Sequence, residues 1–360
     1  MSEITFKMTA VTNVGLVRTN NEDNFIVNPD LASDDWSIPS DTDAIIPLGK
    51  NGCVMVVADG MGGMNAGEVA SEIAVCSIRK AFCDVSDFSK VTDTPGHIEN
   101  FLRKAIVDAD SDIKRKVKED PGTEGMGTTI VVAWFLKNAV HVAWCGDSRA
   151  YLFNKASGLS RLSKDHSYVQ QLVDSGKLDP DLAFDHPNSN IITRSLGDSN
   201  SVAQPDYVCK GLSAGDIVLL CSDGLCGLIR DEEIVDILSS EHEHIDDYRE
   251  ALLQGALEAG GHDNVTIALL ECVSVEESEL ERTLSSTVKP RKKRRGWLWL
   301  IILLLVAGGL YYLWHNNLLP DVFKTILQIP AQVELSGQID SVGTEQGVTD
   351  TMDTEQTITE

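Results

Sequence analysis

Short apolar runs rich in β-branched residues alternate with longer segments of helical periodicity over the first 275 residues of this chain. The apolar runs occupy residues 52–58, 129–136, 139–145, 216–221 and 264–270. Runs of this length and composition are typical of strands buried on both faces. Only Lys137 and Asn138 separate the second run from the third, which predicts an antiparallel hairpin.

The segments with helical spacing lie at 66–82, 98–118, 231–240 and 247–259. Strands and helices therefore follow one another in mixed order, with a hairpin among them. This order favours an α+β fold in which sheets pack together and helices cover them. Residues 163–200 are poorer in apolar runs and are typical of an inserted flap.

The charge of the chain is strongly unbalanced. Its 360 residues hold 30 Lys and Arg against 55 Asp and Glu, a net charge of −25, of which residues 1–288 carry −24. Such a body repels the nucleic acid backbone, so we expect no nucleic acid partner. It also repels phosphorylated ligands unless cations intervene.

Four aspartates stand at the ends of the predicted strands. Asp59, Asp147 and Asp223 each follow an apolar run, with a Gly beside each of them, and Asp263 precedes the last run. If the strands converge, these carboxylates share one site, where like charges cannot all stay ionised unaided. Mg²⁺ and Mn²⁺ prefer carboxylate, carbonyl and water oxygens, so the pattern predicts a divalent metal site.

Eight motifs in a fixed order extend this pattern from about residue 5 to residue 272. They read RTNNEDN, VVADGMGG, GMGTT, CGDSRAYL, LSKDHS, ITRSLG, CSDGL and GGHDNVTI. The set resembles the metal-dependent protein phosphatase family, the type 2C serine/threonine phosphatases, and DGMGG is the form usual in its bacterial branch. The resemblance implies a four-layer α-β-β-α sandwich of central antiparallel β-sheets flanked by helices, with the metals in a cleft at one edge.

The resemblance also implies the site residues and their roles. The expected metal ligands are Glu22, Asp59, Gly60 through its carbonyl, Asp147, Asp223 and Asp263. Asp59 would bridge two ions, and Asp147 with Asp223 would hold the third ion found in bacterial members. Arg18 would bind the substrate phosphate with its guanidinium fork, and Asp23 would order metal-bound water.

The expected reaction is hydrolysis of phosphoserine and phosphothreonine monoesters in phosphorylated proteins, the products of a Ser/Thr kinase. Two Mn²⁺ or Mg²⁺ ions would lower the pKa of a bridging water, and the resulting hydroxide would attack phosphorus in line. The sequence offers no protein nucleophile in a G-x-S-x-G or Cys-x₅-Arg motif. DGMGGMNAG also lacks the Lys-Ser/Thr ending of a phosphate-binding P-loop.

One position departs from the family pattern. Animal and plant relatives carry His directly after the Asp-Gly pair as a general acid, and this chain has Met61 there. His166 and His262 are the nearest candidates by sequence, although a structural role is the simpler interpretation of each. His141 lies inside an apolar run and is predicted to be a core residue.

A long uncharged segment follows the predicted catalytic domain of residues 1–274. Residues 297–314 read WLWLIILLLVAGGLYYLW, and at about 1.5 Å per residue they span about 27 Å, close to the thickness of a bilayer core. Aromatic residues stand at both ends of this segment, and aromatic side chains prefer the headgroup zones of a membrane. We therefore predict one C-terminal transmembrane helix at 297–314.

The flanking segments orient this helix. The linker 275–296 is first polar and then basic, with KPRKKRR at 289–295, and positive-inside bias places it in the cytoplasm. The acidic tail 315–360 is then extracytoplasmic and flexible. Eight cysteines without a C-x-x-C pair favour reduced, cytosolic thiols, and the N-terminus has no apolar signal-peptide region. The expected location is the inner cell membrane, single-pass, with the catalytic domain in the cytoplasm.

An alternative function is a catalytically weak module that binds phosphoproteins or takes part in envelope signalling. All the expected ligands are present, which favours the enzyme. Metal-dependent hydrolysis of p-nitrophenyl phosphate distinguishes the two.

Overall fold

The computed structural model describes residues 4–62, 66–275 and 315. Two antiparallel β-sheets form the centre of the described part. The strands are β1 Ile4–Asn13, β2 Asp23–Asn28, β3 Ile46–Pro47, β4 Cys53–Met61, β5 Gly127–Thr128, β6 Ile130–Leu136, β7 Ala139–Cys145, β8 Arg149–Asn154, β9 Gly158–Arg161, β10 Asp206–Gly211, β11 Ile217–Cys221 and β12 Val265–Val275. The first sheet has the order β3-β1-β12-β11-β8-β9, and the second has the order β10-β7-β6-β4-β2, with β5 paired to β4.

Six α-helices surround the sheets in the described ranges 4–62 and 66–275. They are α1 Ala66–Cys83, α2 Pro95–Glu119, α3 Tyr168–Asp174, α4 Asp223–Cys226, α5 Asp231–Ser239 and α6 Ile245–Glu258. The long helix α2 begins where the sequence chemistry favours a start, because Thr94 is its N-cap and accepts from the His97 amide, and Pro95 is its first residue.

Three hydrophobic clusters divide the molecule into layers. One lies between the second sheet and the helices α1 and α2, one lies between the two sheets, and one lies between the first sheet and the helices α4, α5 and α6. The order of layers is therefore helix, sheet, sheet, helix. The predicted α+β sandwich with antiparallel sheets and flanking helices is confirmed.

The central strands carry the strongest sequence signal because both of their faces are covered. Every residue of β6 and β11 is buried, so these strands show no polar alternation. Strands β6 and β7 form the predicted hairpin, in which Lys137 takes up a positive φ of 57° at the turn. Residues 163–200 lie between β9 and β10, outside both sheets apart from isolated bridges, and contain α3.

Among the described residues, no helix is long and apolar enough to cross a bilayer. Apart from Val275 and His315, the linker, the predicted spanning segment 297–314 and the tail lie outside the described part. All eight cysteines lie inside it, and each is a free thiol.

Candidate metal centre

The ends of five strands bring acidic side chains to one end of the sandwich. Asp23 begins β2 and pairs in register with Asp59 near the end of β4. Asp147 follows β7, Asp223 follows β11 as the first residue of α4, and Asp263 precedes β12. Since β11 and β12 are antiparallel, with Cys221 opposite Ile267, the last two acids meet at the same edge.

Burial and mutual repulsion act together on the central carboxylates. Desolvation raises the pKa of Asp59 well above its ordinary value, and Asp223, Asp23 and Asp147 raise it further. Desolvation likewise raises the pKa of Asp223, followed by repulsion from Asp263. Two carboxyl groups this poorly solvated cannot both stay ionised without a compensating cation.

Asp147 supplies a separate sign that a cation fits this place. Its side chain is buried, and no group of the described residues donates a hydrogen bond to its Oδ1. Desolvation raises the pKa of Asp147 well above the ordinary range, with Asp223 as the next cause. Asp147, Asp223 and Asp263 together line a cavity of about 890 Å³ that extends toward residues of the 163–200 segment. A buried carboxylate oxygen without a donor is costly unless a cation compensates it.

Glu22 is held beside the start of α1. Its backbone carbonyl accepts from Ser71 Oγ at 2.6 Å and from the Gly60 amide at 3.2 Å. A Cβ at Gly60 would lie 2.2 Å from the carbonyl oxygen of Gly67, so only glycine permits this approach. Burial raises the pKa of the Glu22 carboxyl, which Arg18 partly offsets.

Arg18 stands at the open side of the acidic cluster. Its Nη2 donates to Asp263 Oδ2 at 2.7 Å, and about half of its side chain is exposed. The guanidinium has five N–H donors, so one carboxylate contact leaves others free for an anion. The geometry allows Arg18 to bind a phosphoryl group at the edge where the carboxylates meet.

Three polar residues that were given no role from the sequence hold the acids in place. Asn264 accepts from the Glu22 amide through Oδ1 at 2.7 Å and donates through Nδ2 to the carbonyls of Val14 and Asn20. Ser222 Oγ and Thr266 Oγ1 each donate to Asp23 Oδ2 at 2.7 Å. Their position inside CSDGL and GGHDNVTI, next to the expected ligands, was the available signal.

The donor set fits a hard divalent cation. Every expected ligand offers oxygen, which is what Mg²⁺ and Mn²⁺ prefer. Within the described ranges, no group of three or more His, Cys, Asp or Glu side chains is arranged to hold an ion. When an ion is bound, carbonyl and water oxygens would complete its shell beside the carboxylates, as is usual for Mg²⁺.

The two candidate proton donors differ in their surroundings. His166 is buried, its Nδ1 accepts from the Gly146 amide at 3.1 Å, and its Nε2 lies 3.2 Å from Asp206 Oδ2. It therefore acts as a structural residue next to Asp147. His262 lines the 890 Å³ cavity. His141 is the predicted core residue, since it is buried and lies 2.7 Å from the Tyr207 hydroxyl.

The comparison with known families agrees with this fold. The family described as protein phosphatase 2C matches residues 40–258, which is more than half of the chain. The two-sheet sandwich and the sequence match to this family therefore lie in the same part of the chain. The chain belongs to the protein phosphatase 2C family.

Individual relatives are bacterial. The serine/threonine phosphatase stp of Listeria welshimeri is 36% identical over 218 residues, 61% of this chain and 84% of that protein. The protein phosphatase PhpP of Streptococcus pneumoniae is 35% identical over 278 residues, 76% of this chain and 100% of that protein. The catalytic domain of the phosphatase PstP, solved with two manganese ions, is 30% identical with a TM-score of 0.59 and covers 75% of this chain and 100% of that domain.

Proposed function

We propose that this chain is a metal-dependent protein serine/threonine phosphatase that hydrolyses phosphoserine and phosphothreonine in proteins modified by a Ser/Thr kinase. The observation that carries the proposal is the meeting of Asp59, Asp147 and Asp223 at one edge, where Asp223 and Asp147 raise the pKa of Asp59 and Asp223 raises the pKa of Asp147. Family membership and the phosphatase names of the relatives support it.

The chain's own residues perform three tasks in this proposal. The carboxylates hold the ions, which when bound supply positive charge and a water of lowered pKa. Arg18 binds the phosphoryl oxygens and orients the phosphorus toward the acidic edge. Asn264 and the Ser222–Thr266 pair keep Glu22 and Asp23 in fixed positions, so that the site does not reorganise during turnover.

Two finer features belong to the same proposal. Mg²⁺ serves as well as Mn²⁺, because the donors are all oxygen. Asp147 and Asp223 would hold a third ion, which is supported by the buried Asp147 oxygen that lacks a donor. Asp23, which touches Ser222 and Thr266 rather than the open cavity surface, orders water indirectly.

The enzyme is anchored in the inner membrane by residues 297–314, with its catalytic domain in the cytoplasm. The uncharged run and the KPRKKRR segment before it support this part of the proposal. Deletion of 297–314 should move the phosphatase activity from the membrane fraction to the soluble fraction. Activity that stays with membranes after the deletion would refute the anchor.

A titration tests the central proposal. The purified chain, treated with chelator, is titrated with Mn²⁺ while release of phosphate from a phosphothreonine peptide is followed, with Asp59→Asn alongside and the exposed Asp236→Asn on α5 as control. We expect activity in wild type and Asp236→Asn only with Mn²⁺, and almost none in Asp59→Asn. Full turnover in excess chelator contradicts the proposal, and peptide binding without turnover at any Mn²⁺ concentration favours the binding module.

A further inference from the structure

An exposed apolar turn lies directly before the arginine that borders the acidic edge. Residues 14–17 connect the end of β1 to Arg18, and they are called the apolar turn below. Leu16 is 66% exposed and Val17 is 62% exposed, and Val14 is also on the surface. Single exposed apolar residues are ordinary, but three within four consecutive residues form a patch beside a functional edge.

The apolar turn is held rigidly. The Leu16 amide donates to the Gly261 carbonyl at 2.8 Å, and Asn264 Nδ2 donates to the Val14 carbonyl at 3.0 Å. The Gly15 amide donates to Asn13 Oδ1 at 2.8 Å, and Gly15 has a φ of +77°. Because these bonds fix the backbone, the side chains are presented at one place, and little ordering is needed when a ligand covers them.

The apolar turn and Arg18 share one neighbour. Arg18 Nη2 contacts the Asp263 carboxylate, and a Cβ at Gly15 would lie 2.2 Å from the Asp263 carbonyl oxygen. A phosphoryl group bound by Arg18 is therefore close to the turn. Consecutive residues of an extended peptide are about 3.8 Å apart, so the residues next to a phosphorylated side chain reach this surface.

Resting on the proposed function, we propose that the apolar turn binds an apolar side chain within two residues of the phosphorylated Ser or Thr, and that Leu16 and Val17 are specificity-determining residues. The turn itself carries no charge, and its Gly15 and Leu16 amides and its Val14 carbonyl are already engaged in hydrogen bonds. The exposed side chains of Leu16 and Val17 offer a peptide apolar contact only. A charged or amide side chain at that place would lose water without gaining a hydrogen bond.

Two matched peptides test this inference on the full chain with Mn²⁺. They share one phosphothreonine and differ only in the residues on both sides of it, which are Leu in one and the similarly sized Asn in the other. We expect wild type to prefer the Leu peptide by about tenfold in kcat/KM, a factor that corresponds to about 1.4 kcal/mol of apolar contact. The difference should lie mainly in KM, because the contact is the same in ground state and transition state.

The variant Leu16→Asn/Val17→Thr should reduce this preference to less than about twofold, because the apolar contact that causes it is removed. Ile45→Asn and Val202→Thr, which change equally exposed apolar residues elsewhere, should keep the wild-type preference. The milder Val17→Thr variant should give an intermediate ratio of kcat/KM for the two peptides. It replaces the double variant in the test if circular dichroism shows that the double variant does not fold.

Each result decides the matter. Equal hydrolysis of both peptides by wild type overturns the inference and leaves the proposed function intact. A preference of wild-type size in Leu16→Asn/Val17→Thr also overturns it. Absence of hydrolysis of both peptides and of p-nitrophenyl phosphate by wild type overturns the proposed function and the inference together.

Discussion

Asp23 lies directly opposite Asp59 across the antiparallel strands β2 and β4. Burial raises the pKa of Asp23 to about 8, although Thr266 and Ser222 donate hydrogen bonds that act in the opposite direction. Two neighbouring strands thus place two carboxyl groups where neither is well solvated. Such an arrangement costs stability unless cations are bound, which ties the fold to the proposed metal chemistry.

Replacement of Asp59 by Asn should separate activity from stability. We expect kcat/KM to fall by about 10³-fold or more, since a proposed metal ligand is lost. The metal-free variant should be more stable than wild type by about 1 kcal/mol, because a neutral amide removes a poorly solvated carboxyl from the cluster. Urea unfolding at neutral pH in chelator measures the second effect.

Asp236→Asn is the matched control for that experiment, because Asp236 is exposed on α5. It should leave kcat/KM as in wild type and change the free energy of unfolding by no more than about 0.5 kcal/mol. If the metal-free Asp59→Asn protein is less stable than wild type, the acidic cluster is not a source of strain.

Replacement of Asn264 by Ala should weaken metal binding without removing a ligand. The side chain holds the Glu22 amide and the carbonyls of Val14 and Asn20, so its loss lets the Glu22 segment move. We expect the Mn²⁺ concentration for half-maximal activity to rise by about 10- to 100-fold. Unfolding should become easier by about 1–3 kcal/mol. Asn138→Ala at the exposed hairpin turn is the control, and an equal effect there would show that the prediction is wrong.

Replacement of Gly60 by Ala should reduce stability and activity strongly, although it adds only one methyl group. The added methyl would lie 2.2 Å from the Gly67 carbonyl oxygen and 2.4 Å from the Glu22 carbonyl oxygen, both of them backbone atoms. We expect a loss of about 3 kcal/mol in unfolding free energy and a marked loss of activity.

Gly96→Ala in α2 provides the comparison, since nothing lies within 4 Å of the added methyl. It should be neutral or stabilising by up to about 1 kcal/mol. Thermal unfolding of the two variants gives the answer, and equal melting temperatures would contradict the argument.

Acidification should destabilise the fold in part through His141. Desolvation lowers the pKa of His141 to about 4, with a smaller contribution from Lys137. Between the ordinary pKa of about 6.5 and pH 4, the unfolded chain binds a proton that the folded chain does not. Stability should therefore fall as the pH is lowered through this range. His141→Asn should make the slope of unfolding free energy against pH shallower over this range, and an unchanged slope would contradict the prediction.

The sequence predicted best where burial is complete. Strands β4, β6, β7 and β11 carry continuous apolar runs, and their approximate limits, the β6–β7 hairpin and four of the helices follow from periodicity alone. The strand β1 was not predicted. Its residues Ile4, Phe6 and Met8 are buried, whereas Thr5 and Lys7 between them are half-buried, and Lys7 pairs with Asp43 at the surface. A strand with mixed surroundings gives a weak pattern.

In the candidate site, too, the sequence predicted some residues and missed others. Motif order and the resemblance it carries pointed to Glu22, Asp59, Asp147, Asp223 and Asp263, and their roles as ligands stay predictions that the Mn²⁺ titration tests. The supporting roles of Asn264, Ser222 and Thr266 did not follow from the sequence. Each depends on a hydrogen bond between residues more than 190 positions apart, and local spacing contains no information about such pairs.

The amino-acid sequence by itself determined the α+β class, the acidic character of the chain and the family to which it belongs, because periodicity, charge and motif order are properties of the chain alone. Only the tertiary structure decided which carboxylates meet at one edge, which asparagine holds the Glu22 segment and which apolar turn stands beside Arg18. These relationships arise when antiparallel strands from distant parts of the chain end at one edge, so they exist only after the two sheets have packed together.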